Sequence, residues 1–201
     1  MRIYFVRHGK TEWNLERRLQ GQKGDSPLLS ESVASVKRVR KVLEDVSFDE
    51  VLSSPQKRAM TTAHLLTDLP VKPDKRLAEW NFGELEGNLI TEAIAKEPEQ
   101  MHYSRFELEK FDGSSFGAES VESVLKRWES LARELLHSPF HNVLLIGHGA
   151  SGTAGVRHLV GIPVEKIREE GGLENNTVTV LEADEEREHF RMLTWNKSYD
   201  E

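Results

Sequence analysis

The sequence predicts an α/β fold with a mostly parallel sheet covered by helices. Two observations carry this. Apolar runs at residues 3–6 and 143–146 have the length of buried strands, residues 50–52 give a weaker third, and each leads into a polar turn. Longer stretches with helical apolar spacing separate them. A chain of 201 residues fits one domain, here residues 1–201, large enough to bury about 70% of its unfolded surface.

The elements follow in order. Residues 3–6 (Ile-Tyr-Phe-Val) form the first expected strand and end in Arg7-His8-Gly9. Val33, Val36, Val39, Leu43 and Val46 fall near helical spacing, with Ser30 as the expected N-cap. The strand at 50–52 leads into Ser53-Ser54-Pro55. A helix with Ala59, Met60, Ala63 and Leu66 follows, with Ser54-Pro55 read as N-cap and first turn. Residues 89–117 lack strong periodicity and scatter Met101, Tyr103, Phe106, Phe111 and Phe116 among charges. They are expected to be a cap-like excursion over one end of the sheet, since long connections in compact domains are often lids or binding loops. Residues 121–136 carry the clearest amphipathic helix, with Trp128 on its apolar face. The strand at 143–146 ends in Gly147-His148-Gly149. Residues 178–181 and 190–195 read as a hairpin around Asp184-Glu185-Glu186.

Composition narrows the function. The chain has no cysteine, which excludes thiolate nucleophiles, disulfide scaffolds and cysteine-ligated metals. Against 27 basic residues stand 34 acidic ones, a net charge of −7. That argues against nucleic acid as a partner, because its binders carry a basic footprint. The first apolar run is broken at Arg7, and residues 143–146 are too few to span a bilayer. No membrane association and a cytoplasmic location are expected.

The chemistry concentrates at strand ends. Of eight histidines, His8 and His148 directly follow strand-like runs, and each precedes a glycine. Ligands of open parallel sheets bind beyond the carboxyl ends of the strands. Glycine there permits sharp turns and close approach. Either histidine alone could end a strand by chance; the repetition favours one shared crevice. Lys57 and Arg58 sit in a helix's first turn, where the dipole disfavours cations by about 0.3–1 kcal/mol each. For Arg58 alone a solvated side chain is the simpler reading. With Arg7 and two histidines at neighbouring strand ends, an anion site is favoured.

These residues resemble the signature of the histidine phosphatase superfamily, also called phosphoglycerate mutase-like. The similarity rests on six ordered motifs: residues 7–14 (Arg-His-Gly-Lys-Thr-Glu-Trp-Asn); 18–21 with 25–28; Ser53-Ser54-Pro55 with Arg58-Ala59 and Thr62-Ala63; 77–83 with Glu86-Gly87; 117–120 with Arg127; and Gly147-His148-Gly149. Lys10, Ser32, Gln56 and Thr61 depart from the common pattern, and Lys10 is expected to add a cation near the pocket mouth.

The resemblance implies a three-layer αβα sandwich and a metal-independent phosphatase acting on small phosphorylated metabolites, with no cofactor. His8 would be the nucleophile and become a phosphohistidine; an unprotonated ring nitrogen is accessible near neutrality. Arg7, Arg58, a protonated His148 and Asn14 would cage the phosphoryl oxygens. Glu79 would be the general acid, kept protonated by partial desolvation among Trp80 and Phe82, with Glu12 as second choice. Local sequence alone would equally allow Glu79 to be a surface acid. Gln20, Gly21 and Gly149 would lie near the substrate. Lys10, Tyr103, Arg105 and Phe106 are candidate specificity residues, although ordinary exposed or lid-packing roles suit them better. Trp13 and Trp128 are expected to pack. Such an acid–base pair predicts a mildly acidic to neutral optimum. A cofactor-dependent phosphoglycerate mutase is the alternative, disfavoured because residues 89–117 are acidic and hold only Pro98. A metallohydrolase would need a third ligand beside His8 and His148. A non-catalytic phospho-ligand module remains the third reading.

Overall fold

The computed structural model describes residues 1–184, 186 and 189–200. In chain order its elements are β1 (Arg2–Arg7), α1 (Glu12–Glu16), α2 (Ser30–Val42), β2 (Glu50–Ser53), α3 (Lys57–Leu66) and β3 (Lys72–Pro73). There follow α4 (Ile90–Lys96), α5 (Pro98–Phe106), α6 (Val121–Leu136), β4 (Asn142–Gly147), α7 (Ala150–Leu159), β5 (Val178–Ala183) and β6 (Phe190–Lys197). The strands form one sheet in the order β3-β2-β4-β1-β5-β6. The first four are parallel; β5 and β6 are antiparallel additions at one edge. The expected α/β fold is present.

Side-chain alternation builds the three layers. Ile3, Phe5, Val143 and Leu145 face one way, onto Trp128, Leu131 and Val156 of α6 and α7. Val6, Val51, Leu144 and Ile146 face the other way, onto Val36 and Val39 of α2 and Ala59 and Ala63 of α3. A strand buried on both faces is apolar throughout, which is why these runs stood out in the sequence.

Several expectations need correction. Helix α2 begins at Ser30 itself, with Leu29 at the N-cap and no side-chain capping bond. Ser54-Pro55 do not open α3, whose N-cap is Gln56. The Ser54 hydroxyl is committed elsewhere, to Gln56 and His148. The two-residue edge strand β3 was not anticipated. The hairpin is present as β5 and β6, while Glu185 of its expected turn lies outside the described residues.

Residues 89–117 are more regular than their sequence suggests. They form α4, α5 and two single-turn 3-10 segments, Leu108–Lys110 and Ser114–Phe116. Pro98 occupies the first turn of α5, where its missing N–H costs nothing. Both helices are too short to display a periodic stripe, and they touch the core through single residues such as Ala93 and Met101. Phe111 binds the segment down by an edge-on contact with Trp80, ring centroids 5.8 Å apart.

Candidate active site

Sheet order brings the chemistry together. Because β4 lies between β2 and β1, the ends of three parallel strands sit side by side, with Arg7 opposite Gly147 and Ser53 opposite Ile146. The residues that follow, His8, His148 and Ser54, therefore converge. The rings of His8 and His148 stand 5.1 Å apart.

His8 is buried, and its Nδ1 lies 2.7 Å from the Gly9 carbonyl. A carbonyl only accepts, so Nδ1 carries the proton and Nε2 keeps a free lone pair. Burial, reinforced by Arg58 and Arg7, holds this imidazole well below its ordinary pKa. Its backbone is fixed too: the N–H donates to Gly147, and the carbonyl accepts from Asn175 Nδ2.

The guanidiniums have fixed poses. Arg58 is buried, donating Nη1 to the Gly24 carbonyl at 2.9 Å and Nη2 to the Gly21 carbonyl at 2.9 Å. Asp25 pairs with it at 3.2 Å. These acceptors offset its charge and the positive end of α3 beside it. Arg7 donates Nη1 to the Leu173 carbonyl. In both arginines Nε is buried without a hydrogen-bond partner. Two orphaned, positively charged donors beside a bare imidazole nitrogen suit a tetrahedral oxyanion.

His148 departs from expectation. Burial, with Arg58, His8 and Arg7 nearby, puts it well below the ordinary histidine pKa, so it is neutral rather than protonated in the free protein. Its Nε2 lies 2.7 Å from the Ser54 hydroxyl, which donates in turn to Gln56 Oε1. Nε2 therefore bears the proton, and Nδ1 is buried without a partner.

Glu79 is buried at the N-terminus of α7. Its Oε1 accepts from the backbone of Ser151 and Trp80, both at 2.7 Å, and its Oε2 accepts from Ala150. The expectation of a loosely desolvated carboxyl omitted these three amide donors. The rival Glu12 is exposed and lies outside the cavity.

A cavity of about 480 Å³ is lined by Arg7, His8 and Glu79, while Arg58 and His148 are buried outside its lining. Of the expected substrate contacts, Asn14, Gln20 and Gly149 line it, and Gly21 does not. Gly21 acts from behind, its carbonyl accepting from Arg58 and from Gln56 Nε2 at 2.6 Å. Gln20 is tied to Thr11 and Ser26, so its amide braces the loop. A Cβ on Gly149 would stand 2.9 Å from Arg7 Cζ, so any side chain there would push the Arg7 guanidinium out of its pose. Gly9 is set by packing instead: a Cβ would meet Ser32 Oγ at 2.5 Å. Lys10 does not reach the cavity mouth but borders a separate concavity with Glu31 and Asp200. Tyr103 turns to Glu99, whereas Arg105 and Phe106 do line the cavity. Trp128 is buried as expected, and Trp13 packs partly buried over Gly24.

Sequence reading missed two residues. Gln56 joins the whole site, accepting from the Glu79 backbone and Ser54 while donating to Gly21. It had registered only as a departure from a pattern. Arg168, in the loop after α7, lines the cavity with no motif to announce it. Among the described residues, no cluster of three or more His, Asp or Glu side chains could hold a metal ion. No helix among them is long and apolar enough to cross a membrane.

His8 and His148 follow the ends of neighbouring parallel strands, with Arg7 at one of those ends and Arg58 in the first turn of α3. Residues 3–198 match the sequence profile of the histidine phosphatase superfamily (branch 1), and the chain belongs to that family. It is 30% identical over 167 residues to "Probable phosphoglycerate mutase GpmB" of Escherichia fergusonii, covering 81% of this chain and 76% of that one. It is 28% identical over 152 residues to an uncharacterised phosphatase, PhoE, of Bacillus subtilis, covering 74% and 72%. Among solved structures, a mycobacterial glucosyl-3-phosphoglycerate phosphatase superposes with a TM-score of 0.84 at 28% identity, covering 98% of this chain and 99% of that one.

Proposed function

We propose that this protein is a metal-independent phosphatase that hydrolyses small phosphate monoesters through a phosphohistidine on His8. The observation that carries the reading is the bare Nε2 of a buried His8 whose imidazole feels the charge of Arg58 and Arg7, each with an orphaned Nε donor. Nε2 attacks phosphorus, the P–N bond forms, and the ester P–O bond breaks. The departing alkoxide takes a proton from the Glu79 carboxyl. Water then attacks phosphorus and returns a proton to Glu79; the P–N bond breaks and inorganic phosphate leaves. Arg7 and Arg58 offset the charge on the equatorial oxygens, the main demand of phosphoryl transfer. His148 adds a donor once the anion's charge favours its protonation. The proposed substrates are phosphorylated metabolites rather than nucleic acids, and the proposed setting is the cytoplasm, where such metabolites circulate.

The test is phosphate release from a panel of monoesters in the presence of a chelator. Activity is expected to survive chelation and to fall roughly ten-thousand-fold or more in His8→Ala. Full activity in that variant would overturn the nucleophile. The relatives named as phosphoglycerate mutases support a second reading, a mutase; it requires phosphoglycerate interconversion dependent on a bisphosphorylated primer.

A further inference from the structure

Beside His8, Arg7 and Glu79, the cavity carries a second set of charged groups. Arg168 lines it. Its Nε is buried without a hydrogen-bond partner, and no carboxylate among the described residues pairs with its guanidinium. The nearby acid Glu170 turns instead to Arg157, 3.4 Å away. Burial pushes Arg168 down to about 10; Glu79 pulls the other way, and Arg105 and Arg7 add to the fall. Arg105, from α5, also lines the cavity, is exposed, and has no ion-pair partner among the described residues. Beside it, Phe106 presents an aromatic ring that is 64% exposed. Apart from the pull of Glu79 on Arg168, the two guanidiniums have no ion-pair partner among the described residues, and in a partly enclosed space they repel each other and focus a positive potential.

In the phosphatase reading Arg7 and Arg58 serve the phosphoryl group, which leaves Arg168 and Arg105 unassigned. A small polar alcohol does not account for the walls. Trp80, Phe82, Met101, Leu108 and Phe111 line the same cavity. Such a surface gains by covering an apolar or ring-shaped body.

We propose that Arg168 and Arg105 form a second anion subsite, and that the substrate is a phosphate monoester whose apolar body ends in another acidic group. This rests on the phosphatase reading for the chemistry at His8. The subsite itself is a matter of binding.

Three aryl esters of one size test it: 3-carbamoylphenyl phosphate, which is neutral at the far end, 3-carboxyphenyl phosphate, and 1,3-phenylene bisphosphate. In the wild-type protein, kcat/KM for at least one of the two acidic esters is expected to exceed that of the neutral one by about tenfold to a hundredfold, the worth of a charge-assisted contact. Whichever ester leads tells carboxylate from phosphate. Arg168→Gln is expected to bring that ratio close to one. Arg105→Gln, an exposed change that folding tolerates, is expected to lower it by a smaller factor and to steepen no salt dependence. Equal rates for all three esters in the wild type, or an unchanged ratio in both variants, would overturn the subsite. The matching non-hydrolysable phosphonates, measured by calorimetry, read the same preference without turnover. If no ester is hydrolysed but the acidic phosphonates still bind more tightly, the phosphatase reading fails and the subsite stands. If the phosphonates bind equally, the subsite fails whatever the activity.

Discussion

At the scale of the single residue, the site depends on which atom holds a proton. The Gly9 carbonyl fixes that for His8 and the Ser54 hydroxyl for His148, and neither contact is visible in a list of motifs. Glu79 poses the sharper question. Three backbone amides hold its carboxyl in place, so a loss of activity on mutation could reflect either proton transfer or position. Leaving-group chemistry separates the two. Glu79→Gln is expected to slow hydrolysis of alkyl phosphates by about a hundred- to ten-thousand-fold. It should slow 4-nitrophenyl phosphate far less, because nitrophenolate departs without a proton. Equal losses on both substrates would make Glu79 a positioning residue. The residues themselves were legible: His8, His148, Arg7 and Arg58 could be named from the ends of apolar runs and a family pattern. Gln56 and Arg168 were not, because each acts through neighbours distant in sequence.

At the scale of the element, α7 sits against α6 at a glycine. A Cβ on Gly155 would stand 2.0 Å from Trp128 Cδ2, closer than any real contact. Helix propensity alone favours alanine over glycine by about 1 kcal/mol. Overpacking against a buried indole costs about 1–3 kcal/mol. The two effects oppose, and the rigid ring should decide. Gly155→Ala is expected to lower the stability measured by urea unfolding; a stabilised variant would show that Trp128 can move aside. The same helix presents its N-terminal amides to Glu79, so a shift of α7 should reduce activity as well. Residues 89–117 teach the complementary lesson. Helices as short as α4 and α5 touch the core at isolated points, so no periodic signal survives. The sequence marked the segment as a cap by its lack of pattern, and only packing revealed helices there.

At the scale of the whole molecule, an acidic chain of net charge −7 gathers the buried His8, His148 and Arg58 and the part-buried Arg7 near the ends of neighbouring strands. His8 and His148 are both held well below the ordinary histidine value of 6.5, first by burial and then by nearby positive charge. In the unfolded chain each takes up its proton near that value. Below about pH 6.5 the unfolded state therefore binds more protons than the folded one. Stability from these groups is complete above that pH and declines as the solution is acidified towards their depressed values. Thermal unfolding of the free protein is expected to show a melting temperature that falls between pH 7 and 5, with a shallower fall in His148→Gln. A flat profile in the native protein would contradict neutral burial of the two rings. Neutral His8 also keeps the nucleophile available below pH 6.5, so the acid limb of activity should lie lower than an ordinary histidine would set it.

The sequence by itself determined the layer class, the strands that carry chemistry and the identity of the central residues. It could do so because strands buried on both faces must be apolar, and their polar successors then stand out. Tertiary structure alone decided what those residues can do. The order β2-β4-β1 brought three strand ends together, and carbonyls and hydroxyls from separate loops set the tautomers. A segment without periodicity, residues 89–117, supplied Arg105, Phe106 and Phe111 to the cavity lining. Protonation and recognition depend on neighbours in space, and the chain that places them is read only after it has folded.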